Sequence, residues 1–123
     1  MKSITSIIVT AFVILALFSG AVSAQDNTEK KKIEFLISSV ENLKGAIFIR
    51  NGSEHNGKEA AEHLRMKLQN AVVVQTADDF IRLCASKSMI TGKPYMIRLS
   101  DGKTMKSEEY FREKLKEYYS TAQ

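Results

Sequence analysis

The chain has 123 residues, 18 basic against 14 acidic, two histidines and one cysteine, for a net charge of +4. Both signs are interspersed along it, which argues against a nucleic-acid binder, whose basic charge gathers on one face. A lone cysteine excludes an internal disulfide, so stability has to come from an apolar core.

The first 24 residues read as a leader. Met1-Lys2 supplies one positive charge, Ile4 to Phe18 is almost wholly apolar, and Ser19-Gly20-Ala21-Val22-Ser23-Ala24 is made of small residues. That three-part pattern predicts a secretory signal peptide, residues 1–24, cleaved after Ala24. A membrane anchor needs about 20 apolar residues in a row; this run is shorter and is interrupted by Ser6 and Thr10, so no transmembrane span is expected after cleavage. Residues 25–123 remain, 123 − 24 = 99 of them. That is the size of a single compact domain.

Residues 28–44 carry Ile33, Leu36, Ile37, Val40 and Leu43 at steps of three and four, which predicts an amphipathic helix. Asp26 or Thr28 can cap its start, Lys30-Lys31-Lys32 form a solvated opening, and Gly45 can end it. Ala46-Ile47-Phe48-Ile49 is too short for a helix and reads as a short strand. Residues 50–56 read as a loop. A second helix is expected over 57–70, with Ala60, Ala61, Leu64 and Leu68 on one face. Asn56 caps it, and Glu59 sits at the capping-box position. Thr76 opens a third helix, Asp79 completes its capping box, and Ala77, Phe80, Ile81 and Cys84 share its apolar side. The thiol is therefore expected in the core.

Pro94 holds Lys93 extended. Tyr95 to Leu99 then reads as a strand, Ser100-Asp101-Gly102 as a turn and Lys103 to Lys106 as the return strand of a hairpin. Ser107 is expected to cap the last helix, with Phe111, Leu115, Tyr118 and Tyr119 on its packing side and Glu108–Arg112 as an i,i+4 pair. The expected fold class is α+β: mostly helical, about four helices, a small antiparallel hairpin, and a third short strand at 46–49.

The stretch "RNGSEHNGKEAAEHLR", Arg50 to Arg65, concentrates the chemistry. Much of it suits a helix start: Asn56 and Glu59 as caps, Gly52 and Gly57 for backbone turns, Glu54 and Glu59 near the positive end of the dipole. His55, Glu59 and His63 are zinc-type donors, but the histidines are eight apart rather than one helical turn, so no metal site is assigned. Ser53 lies near His55 without a nucleophile elbow, so no catalytic residue is assigned either. Arg50 and His55 beside a helix N-terminus would form a corner suited to an anion, with Lys93 and Tyr95 joining if the hairpin folds over. The candidate binding residues are Arg50, Asn51, Glu54, His55, Glu59, His63, Arg65, Lys93 and Tyr95. No cofactor is implied.

Taken together, "FIRNGSEHN", "EAAEHLRMKL", "TADDFI" and "ASKSMITGKPYMI" resemble the YfeK-like family of small exported bacterial proteins, from the first helix to the hairpin. The resemblance implies export to a periplasm and a compact domain. It carries no activity. The expected function is that of a non-catalytic binding or envelope-accessory module, with a small anion or an envelope component as partner. The alternatives are a hydrolase-type enzyme using His55 with Glu59 or a bound metal, and a protein-interaction unit with an exposed apolar patch.

Overall fold

Helix α1 spans 27–41, and it is followed by β1 (Ile47–Arg50), β2 (Ser53–His55), α2 (Gly57–Asn70), α3 (Ala77–Cys84), β3 (Met96–Arg98), β4 (Thr104–Lys106) and α4 (Ser107–Thr121). This computed structural model describes residues 27–71 and 73–122. The leader expected at 1–24 lies outside the described residues. The class is α+β: among the described residues there are four helices and one four-stranded sheet in the order β2-β1-β3-β4, every neighbouring pair antiparallel.

The sheet is larger than the expected hairpin and third strand because residues 50–56 are not a loop. Asn51 and Gly52 both take positive φ, 51° and 80°, and join β1 to β2 as a two-residue hairpin turn. A turn of that hand matches the twist of the flanking strands and needs φ > 0 at both positions, which Asn-Gly supplies at low cost. The signal was in the sequence, but β2 is only Ser-Glu-His and has no apolar alternation to reveal it.

Register then decides which side chains share a face. Phe48 stands opposite His55 on one side and Ile97 on the other, and Ile97 stands opposite Met105. Residues in one such row point the same way. Phe48 and Ile97 are buried, so this is the face the helices cover. Two residues further along each strand, Arg50 and Tyr95 lie on the same face.

The helices bury Leu36, Ile37 and Val40 from α1, Ala61 and Leu64 from α2, Phe80, Ile81 and Cys84 from α3, and Tyr110 and Phe111 from α4. Phe80 and Phe111 meet edge-on, with ring centroids 6.1 Å apart. The expected core thiol is there: Cys84 is 1% exposed, and burial pushes its pKa up.

Three local readings are corrected. First, α1 ends at residue 41, not 44, as the chain turns towards β1. Second, Ser107 is not the cap of α4. It is the first helical residue, Lys106 stands at the cap position without a side-chain bond, and the Ser107 N–H donates to the Tyr95 carbonyl at 2.8 Å. Strand β4 runs directly into the helix, so the ladder satisfies an amide that a cap would otherwise serve. Third, Tyr119 is 49% exposed, whereas Tyr110 is buried and donates its hydroxyl to Ser39 Oγ at 3.1 Å. Among the described residues no helix is long and apolar enough to cross a membrane.

Candidate functional site

A cavity of about 80 Å³ lies between the covered sheet face and α2. Its apolar wall includes Phe48, Leu64 and Phe111, and its polar groups come from Arg50, His55, Glu59, His63 and Tyr95. Strand alternation sets Arg50 on the face of Phe48. The helical repeat brings Glu59 and His63, one turn apart on α2, down onto it.

The Arg50 guanidinium lies against the His63 ring, its Nη1 close to both ring nitrogens and 2.6 Å from Nε2. His63 is neutral at physiological pH: its pKa is pushed down to about 4, first by burial and then by the positive charges of Arg50 and Lys67. A neutral imidazole can accept a hydrogen bond but cannot compensate a cation. Each of the other four arginines has a carboxylate: Arg65 holds Glu34 and Glu41, Arg82 holds Asp79, Arg98 holds Glu54, and Arg112 holds Asp78. Among the described residues, Arg50 alone has none within ion-pair distance.

His55 has the complementary arrangement. Its Nδ1 lies 3.1 Å from Glu59 Oε2, and in the tautomer that donates from Nδ1 to that carboxylate the acceptor lone pair is on Nε2. That Nε2 is buried, and among the described residues it is the one buried side-chain nitrogen or oxygen without a partner. Buried polar groups are nearly always bonded, so an unmatched acceptor beside a cavity marks a place for a donor. Arg50 and His55 stand on diagonal positions of β1 and β2, a separation of roughly 7–8 Å between Cα atoms.

Tyr95 closes one side. Its ring meets His63 edge-on with centroids 6.3 Å apart, and its hydroxyl accepts from Lys67 Nζ at 3.0 Å.

Five of the nine candidate residues thus line one cavity: Arg50, His55, Glu59, His63 and Tyr95. The other four do not. Glu54 alternates to the opposite sheet face and pairs with Arg98 at 2.8 Å. Asn51 is spent on the turn, where its Oδ1 accepts from Thr91 Oγ1 at 2.7 Å. Arg65, two residues past His63, is rotated about 200° around α2 and meets the glutamates of α1. Lys93 is exposed on the loop before β3, because Pro94 and Lys87 bridge and hold that loop closed on itself.

Sequence reasoning missed the apolar wall and Ser107, which also lines the cavity. Sheet register was the signal that would have found them. Ser107 cannot complete a serine–histidine–glutamate relay with His55 and Glu59. It follows β4, three strands away from β2, and at about 4.8 Å per strand the two backbones are roughly 14 Å apart. Among the described residues no group of three or more His, Cys, Asp or Glu side chains could hold a metal ion.

Residues 27–119 match a family of unknown function (DUF5329). A relative from Salmonella typhimurium, "Uncharacterized protein YfeK", is 42% identical over 89 residues, covering 72% of this chain and 74% of the relative. No solved structure matches. With most of its length matched, and at that identity, the chain belongs to the DUF5329 family.

Proposed function

We propose that this protein is an exported, non-catalytic binding module that holds a small carboxylate carrying a hydroxyl or amino group. One observation carries the reading: Arg50, without a counter-charge, and His55, whose Nε2 has no partner, line the same cavity. The carboxylate accepts from Arg50, a charge-assisted bond of the strong kind. The neighbouring hydroxyl or amine donates to His55. The apolar wall takes the short hydrocarbon part. At about 80 Å³, well below the few hundred Å³ of a drug-sized ligand's pocket, the space suits a small molecule rather than a polymer.

Export is supported by the leader pattern of residues 1–24 and places the binding event in the periplasm. Protein recovered from the periplasmic fraction should begin at Gln25; a chain that keeps Met1 removes this part of the reading.

The ligand class is tested by titrating the ¹⁵N-labelled protein with acetate against glycolate and with propionate against lactate. The hydroxy acids should bind about 3–10-fold more tightly, the worth of one hydrogen bond. The amides of Arg50, His55 and Glu59 should move, and Arg50→Gln should abolish the shifts. If no carboxylate moves those amides, the cavity is architectural.

A second reading rests on the same His55–Glu59 pair. A ring with Nδ1 held by a carboxylate and Nε2 free has the geometry of a general base, as in a hydrolase that activates water. Turnover of short-chain acyl esters that falls with both His55→Gln and Glu59→Gln would favour it over binding alone.

A further inference from the structure

The loop between α3 and β3 is built to expose its apolar tip. Ile90 is 96% exposed and Met89 70%, the highest values among the large hydrophobic side chains. A single exposed apolar residue needs no explanation. Two in succession on a rigid tip are a different matter. Ser88, which is buried, organises the loop: its N–H donates to the Lys93 carbonyl at 3.0 Å, and its carbonyl accepts from the Gly92 N–H at 2.9 Å. Its hydroxyl accepts from the N–H groups of Ile90 and Thr91, both at 3.3 Å. The Thr91 hydroxyl is tied to Asn51 in the β1–β2 turn. Held in this way, the loop carries Met89 and Ile90 outward.

The apolar surface continues past the tip. Met89 borders a groove that it shares with Met66 and Val73, themselves 60% and 67% exposed. The charges on the loop itself are of one sign. Lys87 and Lys93 stand exposed at the two sides of the loop neck, and residues 86–95 contain no acidic side chain. Neither lysine has a carboxylate within ion-pair distance among the described residues. Lys67, the one formally charged side chain lining the groove, is bonded to the Tyr95 hydroxyl instead.

We infer that this loop is a membrane-docking wedge, with Met89 and Ile90 entering the interfacial layer of a bilayer while Lys87 and Lys93 meet its anionic headgroups. A bilayer surface offers hydrocarbon beneath a layer of phosphates, and an apolar point inside a collar of lysines matches that order. Because the loop is already ordered, docking does not have to fix it. A second copy of the chain fits poorly, since it would bring two lysine collars together. The inference is independent of the cavity and of what binds there.

The sequence contains no tryptophan, so an Ile90→Trp variant reports on the tip alone. With vesicles of phosphatidylethanolamine and phosphatidylglycerol its emission should shift to the blue, and with phosphatidylcholine vesicles it should not. The unmodified protein should co-sediment with the anionic vesicles, less so as salt is raised. Lys87→Gln and Lys93→Gln should each lower that binding about fivefold. Ile90→Asp should lower it at least tenfold, with an unchanged melting temperature. Four results would overturn the inference: no binding to anionic vesicles, equal binding by the Ile90→Asp variant, an unshifted emission, or a dimer in sedimentation equilibrium that Ile90→Asp dissolves. The last would assign the patch to self-association.

Discussion

The carbonyl oxygen of Val40 lies 2.5 Å from the point where a Cβ on Gly57 would stand. The end of α1 and the start of α2 therefore meet backbone to backbone, and Gly57 is present for that approach rather than for the turn that its sequence suggested. The contact matters to the cavity because it sets the depth at which α2 lays Glu59 and His63 over the sheet.

Gly57→Ala should accordingly destabilise the fold by about 2–3 kcal/mol, the cost of overpacking against backbone that cannot step aside. At an ordinary helical position the same change would gain about 1 kcal/mol, so the sign is the test. Urea denaturation of the two proteins measures it.

Gly52→Ala separates conformation from packing. Nothing lies within 4 Å of a Cβ at this position, but its φ is +80°. The cost should be about 1–2 kcal/mol, all from holding an L-residue in a left-handed turn. His55 follows on β2, so its amide resonance should shift, while those of β3 and β4 stay in place.

Stability should fall as the pH drops from about 6.5 to 4. His63 has its pKa lowered from 6.5 to about 4. Between those values the unfolded chain binds a proton that the folded one excludes. The stabilisation is therefore complete above about 6.5 and is lost as the pH falls through the folded value. Allowing for solvent screening of a half-buried ring, the loss is about 1–2 kcal/mol. His63→Gln should flatten the melting-temperature profile across this window. A bound carboxylate, by offsetting the charge of Arg50, should raise the His63 pKa in an NMR titration.

Arg65 and Arg50 should behave oppositely. Arg65 joins α2 to Glu34 and Glu41 of α1 on the exposed side, so Arg65→Ala should cost under about 1 kcal/mol and leave carboxylate binding untouched. Arg50→Gln should remove binding. Parallel titrations of the two variants check the division.

Helices were the legible part of the sequence. The spacing of Ile33, Leu36, Ile37 and Val40 and the Thr76–Asp79 capping box predict α1 and α3, and both stand in the structure with Asp79 N donating to the Thr76 hydroxyl. The Asn56 cap of α2 stands too, with Glu59 N donating to Asn56 Oδ1 at 2.9 Å, but the Glu59 carboxylate does not close the box and pairs with His55 instead. These features arise between residues three or four apart, and a helix makes such residues neighbours wherever it lies in the fold. The β3–β4 hairpin was readable for the same reason. Strand β2 was not, because three polar residues are held as a strand only by the partner opposite them.

What the chain order alone determined about the site was its ingredients: a cation, two imidazoles and a carboxylate crowded into the stretch from Arg50 to Arg65. Which of them meet was decided by the tertiary structure. Whether a strand residue faces the core or the solvent depends on register, and register swung Glu54 away from the cavity while turning Arg50 and His55 into it. Whether a histidine holds a proton depends on burial and on neighbours distant in sequence, so the neutrality of His63 and the resulting solitude of Arg50 could not be read from spacing. The order of residues fixes short-range geometry; long-range pairing decides charge compensation, because an ion pair joins whichever opposite charges the fold brings within a few ångströms.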